Sequence, residues 1–180
     1  MNGGLVLSKQ LSVDNSHLLT GPLHVAFDVT NKCMARCLHC FNRSGNELPR
    51  EELTNEEFMD IIRQIAEVKV FSICYCGGEP MVRYNQLLEA TRILKQAGVV
   101  NVAMVSNGWL MTEEKVNALH EAGLNHIQIS LDGADAETHE RMRGIKGIFD
   151  RALNAMEYVN NSGANLAVAF SPTHFNIHQF

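Results

Sequence analysis

Five strand-like segments alternate with helical segments along most of this 180-residue chain, and that alternation restricts the fold more than any other feature. Strands that are separated by helices form parallel sheets through βα crossovers, with the helices packed outside the sheet. The almost wholly apolar run 70–76 indicates a strand that is buried on both faces, as in a parallel sheet. The five predicted strands lie at 24–30, 70–76, 100–105, 126–129 and 165–170.

The segments between these strands carry helical signals. Thr54 and Glu57 form a capping-box pattern, and the apolar residues from Phe58 onward recur at helical spacing. Further helices are predicted at 84–97, 112–122, 136–143 and 148–159. The sequence therefore predicts an α/β protein with repeated βα units.

The composition excludes several classes of protein. The hydrophobic content of 46% and charged content of 19% suit a globular chain, and the net charge of -5 argues against nucleic acid or an anionic membrane as a partner. No stretch approaches the roughly 20 apolar residues of a membrane span, and the first residues lack the pattern of a signal peptide. We therefore expect a cytoplasmic protein with a lead segment at 1–20 and one core domain at 21–180.

Three of the five cysteines, Cys33, Cys37 and Cys40, lie within eight residues directly after the first predicted strand. In a reducing compartment such an odd, clustered set favours metal binding over a disulfide framework. Three thiolates on one loop can hold three corners of an iron-sulfur cluster and leave the fourth corner open. The alternative is a non-catalytic binding protein with a structural zinc site or a degenerate iron-sulfur cluster, although structural zinc normally takes four protein ligands.

Polar motifs follow the ends of the next three strands. These motifs are Gly77-Gly78-Glu79-Pro80, Ser106-Asn107-Gly108 and Ser130-Leu131-Asp132-Gly133. In a parallel α/β barrel the carboxyl ends of the strands meet on one face, where the active site lies. Each motif alone could be a strand-ending turn, but together with the cysteine loop they predict one composite site. Cys74 and Cys76, two residues apart on a strand, are predicted to fill the core.

The spacing Cys33-x3-Cys37-x2-Cys40, combined with the GGEP motif at 77–80, resembles the radical S-adenosylmethionine (radical SAM) enzymes. The later motifs and the segment 139–144 resemble the branch that often carries a C-terminal cysteine-rich (SPASM or twitch) extension. The resemblance covers about residues 24–171. It implies a partial (β/α)6 TIM-like barrel with five of its six βα units present, as the N-terminal part of a longer protein.

The resemblance also implies cofactors and a reaction. The three cysteines would bind a [4Fe-4S] cluster whose fourth iron holds S-adenosylmethionine (SAM), and reductive cleavage of SAM would give a 5′-deoxyadenosyl radical that abstracts hydrogen from a substrate. That substrate would be a peptide or protein undergoing maturation, or alternatively a small-molecule precursor in molybdopterin or haem biosynthesis. An electron donor such as flavodoxin or ferredoxin would serve as partner.

Residues at the strand ends match the positions of SAM contacts in this family. For Arg143 the alternative is a solvated charge on a polar helix, and for Asn107 and Asp132 it is a role in their own turns. The implied contacts are Gly77, Gly78 and Glu79 for the SAM ammonium, His39 for the adenine, Ser130, Asp132, Ser106 and Asn107 for the ribose hydroxyls, and Arg143 for the carboxylate.

Overall fold

A computed structural model describes residues 21–45 and 51–180, so the predicted lead segment 1–20 lies outside the described residues. Five parallel strands form one sheet in which sequence order and spatial order coincide. Every predicted strand is present, and the predicted parallel α/β fold is confirmed. The strands are β1 (His24–Thr30), β2 (Ser72–Gly77), β3 (Asn101–Ser106), β4 (His126–Ser130) and β5 (Asn165–Ala169).

Five helices connect the strands, and neighbouring helices pack against one another outside the sheet. The Thr54 hydroxyl accepts a hydrogen bond from the Glu57 amide, and the Glu57 carboxylate accepts one from the Thr54 amide, so the predicted capping box is confirmed. The helices are α1 (Asn55–Glu67), α2 (Tyr84–Gln96), α3 (Glu113–Ala122), α4 (Ala136–Arg143) and α5 (Ile148–Ser162), with short 3-10 turns at Pro80–Arg83 and Ile177–Gln179.

The core lies between the sheet and the helices, and the two faces of β2 differ. Ile73 and Tyr75 are fully buried towards the helices. Cys74 and Cys76 point to the opposite, concave face and are only half-buried, because the described residues place no second layer over that face. The prediction of a strand buried on both faces was therefore wrong for the concave side, and so was the prediction that the two cysteines fill the core.

The sheet is open at both ends within the described part of the chain. There β1 pairs only with β2, and β5 pairs only with β4. Val168 on β5 is 53% exposed, in contrast to the buried apolar residues of the central strands. This curved, open sheet agrees with a barrel of which five βα units are present. In the same described ranges, no helix has the length and apolar character needed to cross a membrane.

Candidate active site

The cysteine loop, residues 31–45, follows β1 at the carboxyl edge of the sheet, and the GGEP motif after β2 holds its beginning. The Gly78 amide donates to the Thr30 carbonyl at 2.7 Å, and the Glu79 amide donates to the Lys32 carbonyl at 2.9 Å. A Cβ at Gly77, whose φ is +108°, would lie 2.5 Å from the Thr30 oxygen, and one at Gly78 would lie 2.3 Å from the Lys32 oxygen. The two glycines are therefore required for close packing of GGEP against the cysteine loop.

The end of α4 holds the middle of the same loop. The amides of Arg36 and Leu38 donate to the carbonyls of Arg143 and Met142, each at 2.9 Å. The last carbonyls of a helix have no partner inside it, so the loop satisfies two of them. A Cβ at Gly144, whose φ is +68°, would lie 2.4 Å from the Arg36 carbonyl oxygen. The segment at 139–144 thus contributes to the composite site by positioning the loop.

Each of the three loop cysteines has at least one N–H group close to its sulfur, and Cys33 has a second one from the backbone of Ala35. Three of these donors come from different parts of the chain, and all three cysteines are half-buried. Such N–H groups stabilise thiolate charge and help to set the reduction potential of iron-sulfur clusters. The pairs are Asn107 Nδ2 and Cys33 at 3.6 Å, Arg143 Nη1 and Cys37 at 3.7 Å, and the Ser44 amide and Cys40 at 3.3 Å.

The arrangement of the three thiols suits a cluster, in which each thiol binds a different iron, better than a site for one metal ion. Among the described residues, no three His, Cys, Asp or Glu side chains converge where a single metal ion could bind. A four-iron cluster needs no such convergence, because each thiolate binds a different iron. Burial raises the pKa of Cys33 and of Cys37, although the charge and hydrogen bond of Arg143 oppose the rise at Cys37. Metal binding would remove these protons, and the three-cysteine loop therefore fits a [4Fe-4S] cluster.

Glu79 connects the GGEP motif to the SNG motif of β3. Its side chain is fully buried, and its carboxylate accepts hydrogen bonds from the Ser106 hydroxyl at 2.8 Å, the Asn107 amide at 2.9 Å and the Met81 amide at 3.1 Å. Burial raises the pKa of Glu79, and these hydrogen bonds oppose the rise. Since protein donors occupy both oxygens, the observed role of Glu79 is to position Asn107 beside Cys33. Its predicted contact with the SAM ammonium stays a prediction.

The SNG segment also forms the turn that its composition indicates. The Asn107 side-chain oxygen accepts a hydrogen bond from the Trp109 amide at 2.9 Å, and the Ser106 hydroxyl accepts one from the Gly108 amide at 3.0 Å. The turn interpretation is thus confirmed. It does not exclude a role at the site, because the amide nitrogen of the same Asn107 side chain faces Cys33.

Asp132 is the second fully buried carboxylate at the strand ends. Its Oδ2 lies 2.8 Å from Arg143 Nε, at an angle that makes the contact an ion pair rather than a good hydrogen bond, and 3.5 Å from His39 Nε2. Its Oδ1 accepts a hydrogen bond from the Ser171 amide at 2.9 Å. Arg143 is only 8% exposed, so the alternative of a solvated charge was wrong. Asp132 orients Arg143, which in turn faces Cys37.

His39 lies on the cysteine loop between Asp132 and solvent. Its side chain is 26% exposed, and its Nδ1 is buried without a hydrogen-bond partner in the described residues. Burial lowers the pKa of His39, and the opposing charge of Asp132 does not offset this effect. The neutral form of His39 is therefore favoured, and its buried Nδ1 is available to another group. Ser130 is buried at the end of β4. The adenine and ribose contacts of these two residues stay predictions.

Two further residues support the site without any signal in the sequence. The Glu52 carboxylate accepts hydrogen bonds from the Thr30 hydroxyl and the Asn31 amide, at 2.7 and 2.8 Å, and so fixes the start of the loop. The Asn176 side chain is fully buried and donates to the Asp132 carbonyl at 2.9 Å. Neither residue belongs to a motif, because each acts through a contact that only the fold creates.

His139 supports the SLDG turn through a hydrogen bond to its backbone. It is fully buried, and its Nδ1 accepts a hydrogen bond from the Asp132 amide at 2.9 Å. Its other nitrogen therefore carries the proton. Burial, followed by the charge of Arg143, lowers the pKa of His139 to about 4. His139 is therefore a packing residue that supports the SLDG turn.

Stability should therefore depend on pH through His139. Between pH 6.5 and about 4, His139 is protonated to the charged form in the unfolded chain but stays neutral in the folded chain. The free energy of unfolding should be highest above pH 6.5 and fall by about 2–3 kcal/mol as the pH approaches 4. Urea titrations at several pH values measure it. In His139→Asn, whose side-chain oxygen can still accept from Asp132 but does not titrate, this part of the slope should vanish; an unchanged slope would contradict the assignment.

The comparison with known protein families decides the identity of this arrangement. A sequence model described as the Radical SAM superfamily matches residues 27–176. The chain belongs to the radical SAM superfamily. Radical SAM proteins are enzymes that use a [4Fe-4S] cluster and SAM, and both groups suit the radical SAM domain described above.

Two curated relatives show where this radical SAM domain lies within the superfamily. It is 36% identical over 147 residues to mycofactocin maturase MftC of Mycolicibacterium smegmatis, covering 81% of this chain and 36% of the relative. It is 34% identical over 145 residues to the AdoMet-dependent heme synthase of Methanosarcina barkeri, covering 81% of this chain and 41% of that protein. The chain thus spans about two fifths of the length of these relatives. The first belongs to the SPASM/twitch-type branch that the motifs indicate.

A solved structure confirms the fold independently. Streptococcus suis SuiB bound to S-adenosylmethionine superposes with a TM-score of 0.68 at 23% sequence identity. The match covers 87% of this chain and 36% of that protein. The partial radical SAM barrel is therefore confirmed.

Proposed function

We propose that this radical SAM domain serves a peptide or protein maturase, in which Cys33, Cys37 and Cys40 hold a [4Fe-4S] cluster that SAM completes. When bound, the cluster would supply one electron to the SAM sulfonium, and SAM would supply the radical that takes hydrogen from a substrate. The observation that carries the proposal is the set of three loop thiols, each with its own N–H donor, in a chain that matches the family over 27–176.

The residues of the chain have distinct tasks in this proposal. Gly77 and Gly78 allow GGEP to hold the cysteine loop, and the buried Glu79 carboxylate fixes Asn107. Asp132 keeps the Arg143 guanidinium beside Cys37, where positive charge favours the thiolate. These contacts keep the loop in one geometry before any cofactor binds, which reduces the cost of ordering it on binding.

The same carboxyl edge would bind SAM. We assign His39 to the adenine, Ser130, Ser106, Asn107 and Asp132 to the ribose, Gly77, Gly78 and Glu79 to the ammonium, and Arg143 to the carboxylate. Arg143 is suited to this task because it is almost fully buried and its positive charge faces Cys37. Asp132 and Glu79 would act mainly by positioning, since Asp132 pairs with Arg143 and both oxygens of Glu79 accept hydrogen bonds from protein donors.

The substrate would be a peptide, with a tetrapyrrole as the second candidate. The relationship to mycofactocin maturase supports the first, and the nearly equal identity to a heme synthase favours the second. The open concave face of the sheet offers half-buried side chains, among them Gln128 and His126, below the carboxyl edge. We further propose a cytoplasmic protein that receives electrons from a flavodoxin or ferredoxin.

The formation of 5′-deoxyadenosine from SAM tests the proposed reaction. The chain is reconstituted anaerobically with iron and sulfide, reduced with dithionite and incubated with SAM. We expect 5′-deoxyadenosine and methionine in equal amounts, and neither product from the triple variant C33A/C37A/C40A. A colourless protein with one tightly bound zinc ion per chain and no cleavage of SAM would contradict the proposal.

Binding of two probes separates the substrate candidates. The reconstituted, SAM-loaded protein is titrated with haemin, followed by its absorbance, and is separately exposed to a pool of random peptides whose retained members are identified by mass spectrometry. A peptide maturase should enrich a subset of peptides and leave the haemin spectrum unchanged. Saturable binding of one haemin per chain, without any enrichment of peptides, would favour the tetrapyrrole reaction instead.

A further inference from the structure

Cys74 and Cys76 lie apart from the three loop cysteines, on the concave face of β2. Their Sγ atoms are 3.4 Å apart, and both side chains are half-buried. Residues two apart on a strand project to the same face, so the two thiols form a close pair. The pair has a chemistry of its own, which the proposed radical reaction does not use.

We propose that Cys74 and Cys76 are a redox modification site, at which a low-molecular-weight disulfide reversibly converts the two thiols into one intrastrand disulfide. The Cys74 thiolate attacks one sulfur of the small disulfide and expels the other as a thiolate. Cys76, after losing its proton to that thiolate, attacks the Cys74 sulfur of the mixed disulfide and expels the second small thiolate, which takes up the Cys74 proton from water. Two protein thiols are oxidised while one small disulfide is reduced to two thiols.

The local electrostatics favour this order of attack. The Cys76 thiol donates a hydrogen bond to the Cys74 sulfur. This bond lowers the pKa of Cys74, whereas the same bond, burial and the nearby Asp28 carboxylate raise the pKa of Cys76. The thiolate is the nucleophile in disulfide exchange. Cys74 therefore reacts first, and Cys76 resolves the mixed disulfide.

The geometry makes the disulfide easy to form and easy to reduce. The sulfurs must close from 3.4 Å to about 2.05 Å. Alternate Cα atoms of a strand are roughly 6.4–6.8 Å apart, which is the long end of the range that disulfides span. The bond therefore forms with local strain in β2. Strained disulfides have higher reduction potentials and belong to the labile, regulatory kind, so small thiols should reopen this one.

The position of the pair connects it to the cysteine loop. Cys76 directly precedes Gly77 and Gly78, and the β1–β2 pairing already shifts its register between Asp28 and Thr30, opposite Cys76 and Gly77. Gly78 donates to Thr30 at the start of the loop. Drawing Cys76 towards Cys74 pulls GGEP away from the loop. The oxidised form should therefore hold the loop less firmly than the reduced form.

Peptide mapping after treatment with oxidised glutathione tests the modification. Trypsin cleaves after Lys69 and Arg83, so the peptide 70–83 contains Cys74 and Cys76 but no loop cysteine. We expect this peptide from the native chain to become two hydrogen atoms lighter and to revert with dithiothreitol. Cys76→Ser should instead retain one glutathione on Cys74. An unmodified peptide, a stable glutathione adduct on the native peptide, or a cross-link to residues 33–43 would each overturn the proposal.

Hydrogen exchange tests the connection to the loop. The native chain and the variant C74S/C76S are treated alike with oxidised glutathione, so that any oxidation of the loop cysteines occurs in both. Amides in 31–45 should exchange several-fold faster in the oxidised native chain than in the treated variant. Equal exchange in the two proteins, at full oxidation of the peptide 70–83, would refute the effect on the loop. Neither measurement involves iron or SAM, so the outcome is independent of the proposed radical reaction.

Discussion

Replacing Cys33, Cys37 or Cys40 by alanine is expected to remove the iron-sulfur cluster, because two thiolates on the loop leave two irons without a protein ligand. Each single variant should lose nearly all of its iron and sulfide after anaerobic reconstitution, and with it all cleavage of SAM. Iron and sulfide assays, together with the visible absorption of the cluster, measure the loss.

Cys74→Ala and Cys76→Ala are the matched controls for these variants. Both residues lie on β2 and are half-buried like the loop cysteines, yet neither is a proposed ligand. Both variants should retain the iron content of the native chain. Full iron in the three loop variants, or loss of iron in the two controls, would show that the cluster ligands have been assigned to the wrong cysteines.

Glu79→Ala is expected to have the largest effect of any substitution on stability at this site. It leaves the buried donors of Ser106, Asn107 and Met81 without an acceptor. Orphaned buried donors cost about 1–3 kcal/mol each, and their partial relaxation brings the expected loss of unfolding free energy to about 3–5 kcal/mol. Urea unfolding of the reduced, cofactor-free chain measures this loss.

Glu89→Ala on α2 is the control for Glu79→Ala, because Glu89 is an exposed carboxylate with no hydrogen bond described here. It should change the unfolding free energy by no more than about 0.5 kcal/mol. If Glu79→Ala were as mild as Glu89→Ala, Glu79 would not be the buried connection between GGEP and SNG. Its predicted role as a direct SAM ligand would then be the better account of that position.

The sequence predicted the arrangement of the fold because its signals are local. The capping box at Thr54 and the apolar run of β2 depend on neighbours within a few residues, and each is present. The cysteine spacing and the GGEP motif are equally local. The sequence therefore predicted both the family and the location of the site at the carboxyl edge of the sheet. The prediction that Cys74 and Cys76 are buried in the core was wrong because a run of apolar residues does not indicate which face of a strand is covered by a second layer.

The roles of the buried carboxylates could not be predicted from the motifs. Asn107 meets Cys33 across 74 residues of sequence, and Arg143 meets Cys37 across 106 residues. Glu79 and Asp132 act through these distant partners, so a motif marks both as site residues without distinguishing a ligand from a support. Burial decides the difference, because a fully buried carboxylate has no contact with water and depends on the charged and polar protein groups around it.

On the proposed reading, three thiolates hold a cluster whose fourth iron is free for SAM. Mössbauer spectroscopy of the chain reconstituted with 57Fe, recorded with and without SAM, tests it most directly, because each iron contributes separately to the spectrum. We expect four irons per chain, of which one changes its signal when SAM is added and three do not. A reconstituted chain with one or two irons, or a four-iron spectrum that SAM leaves unchanged, would contradict it.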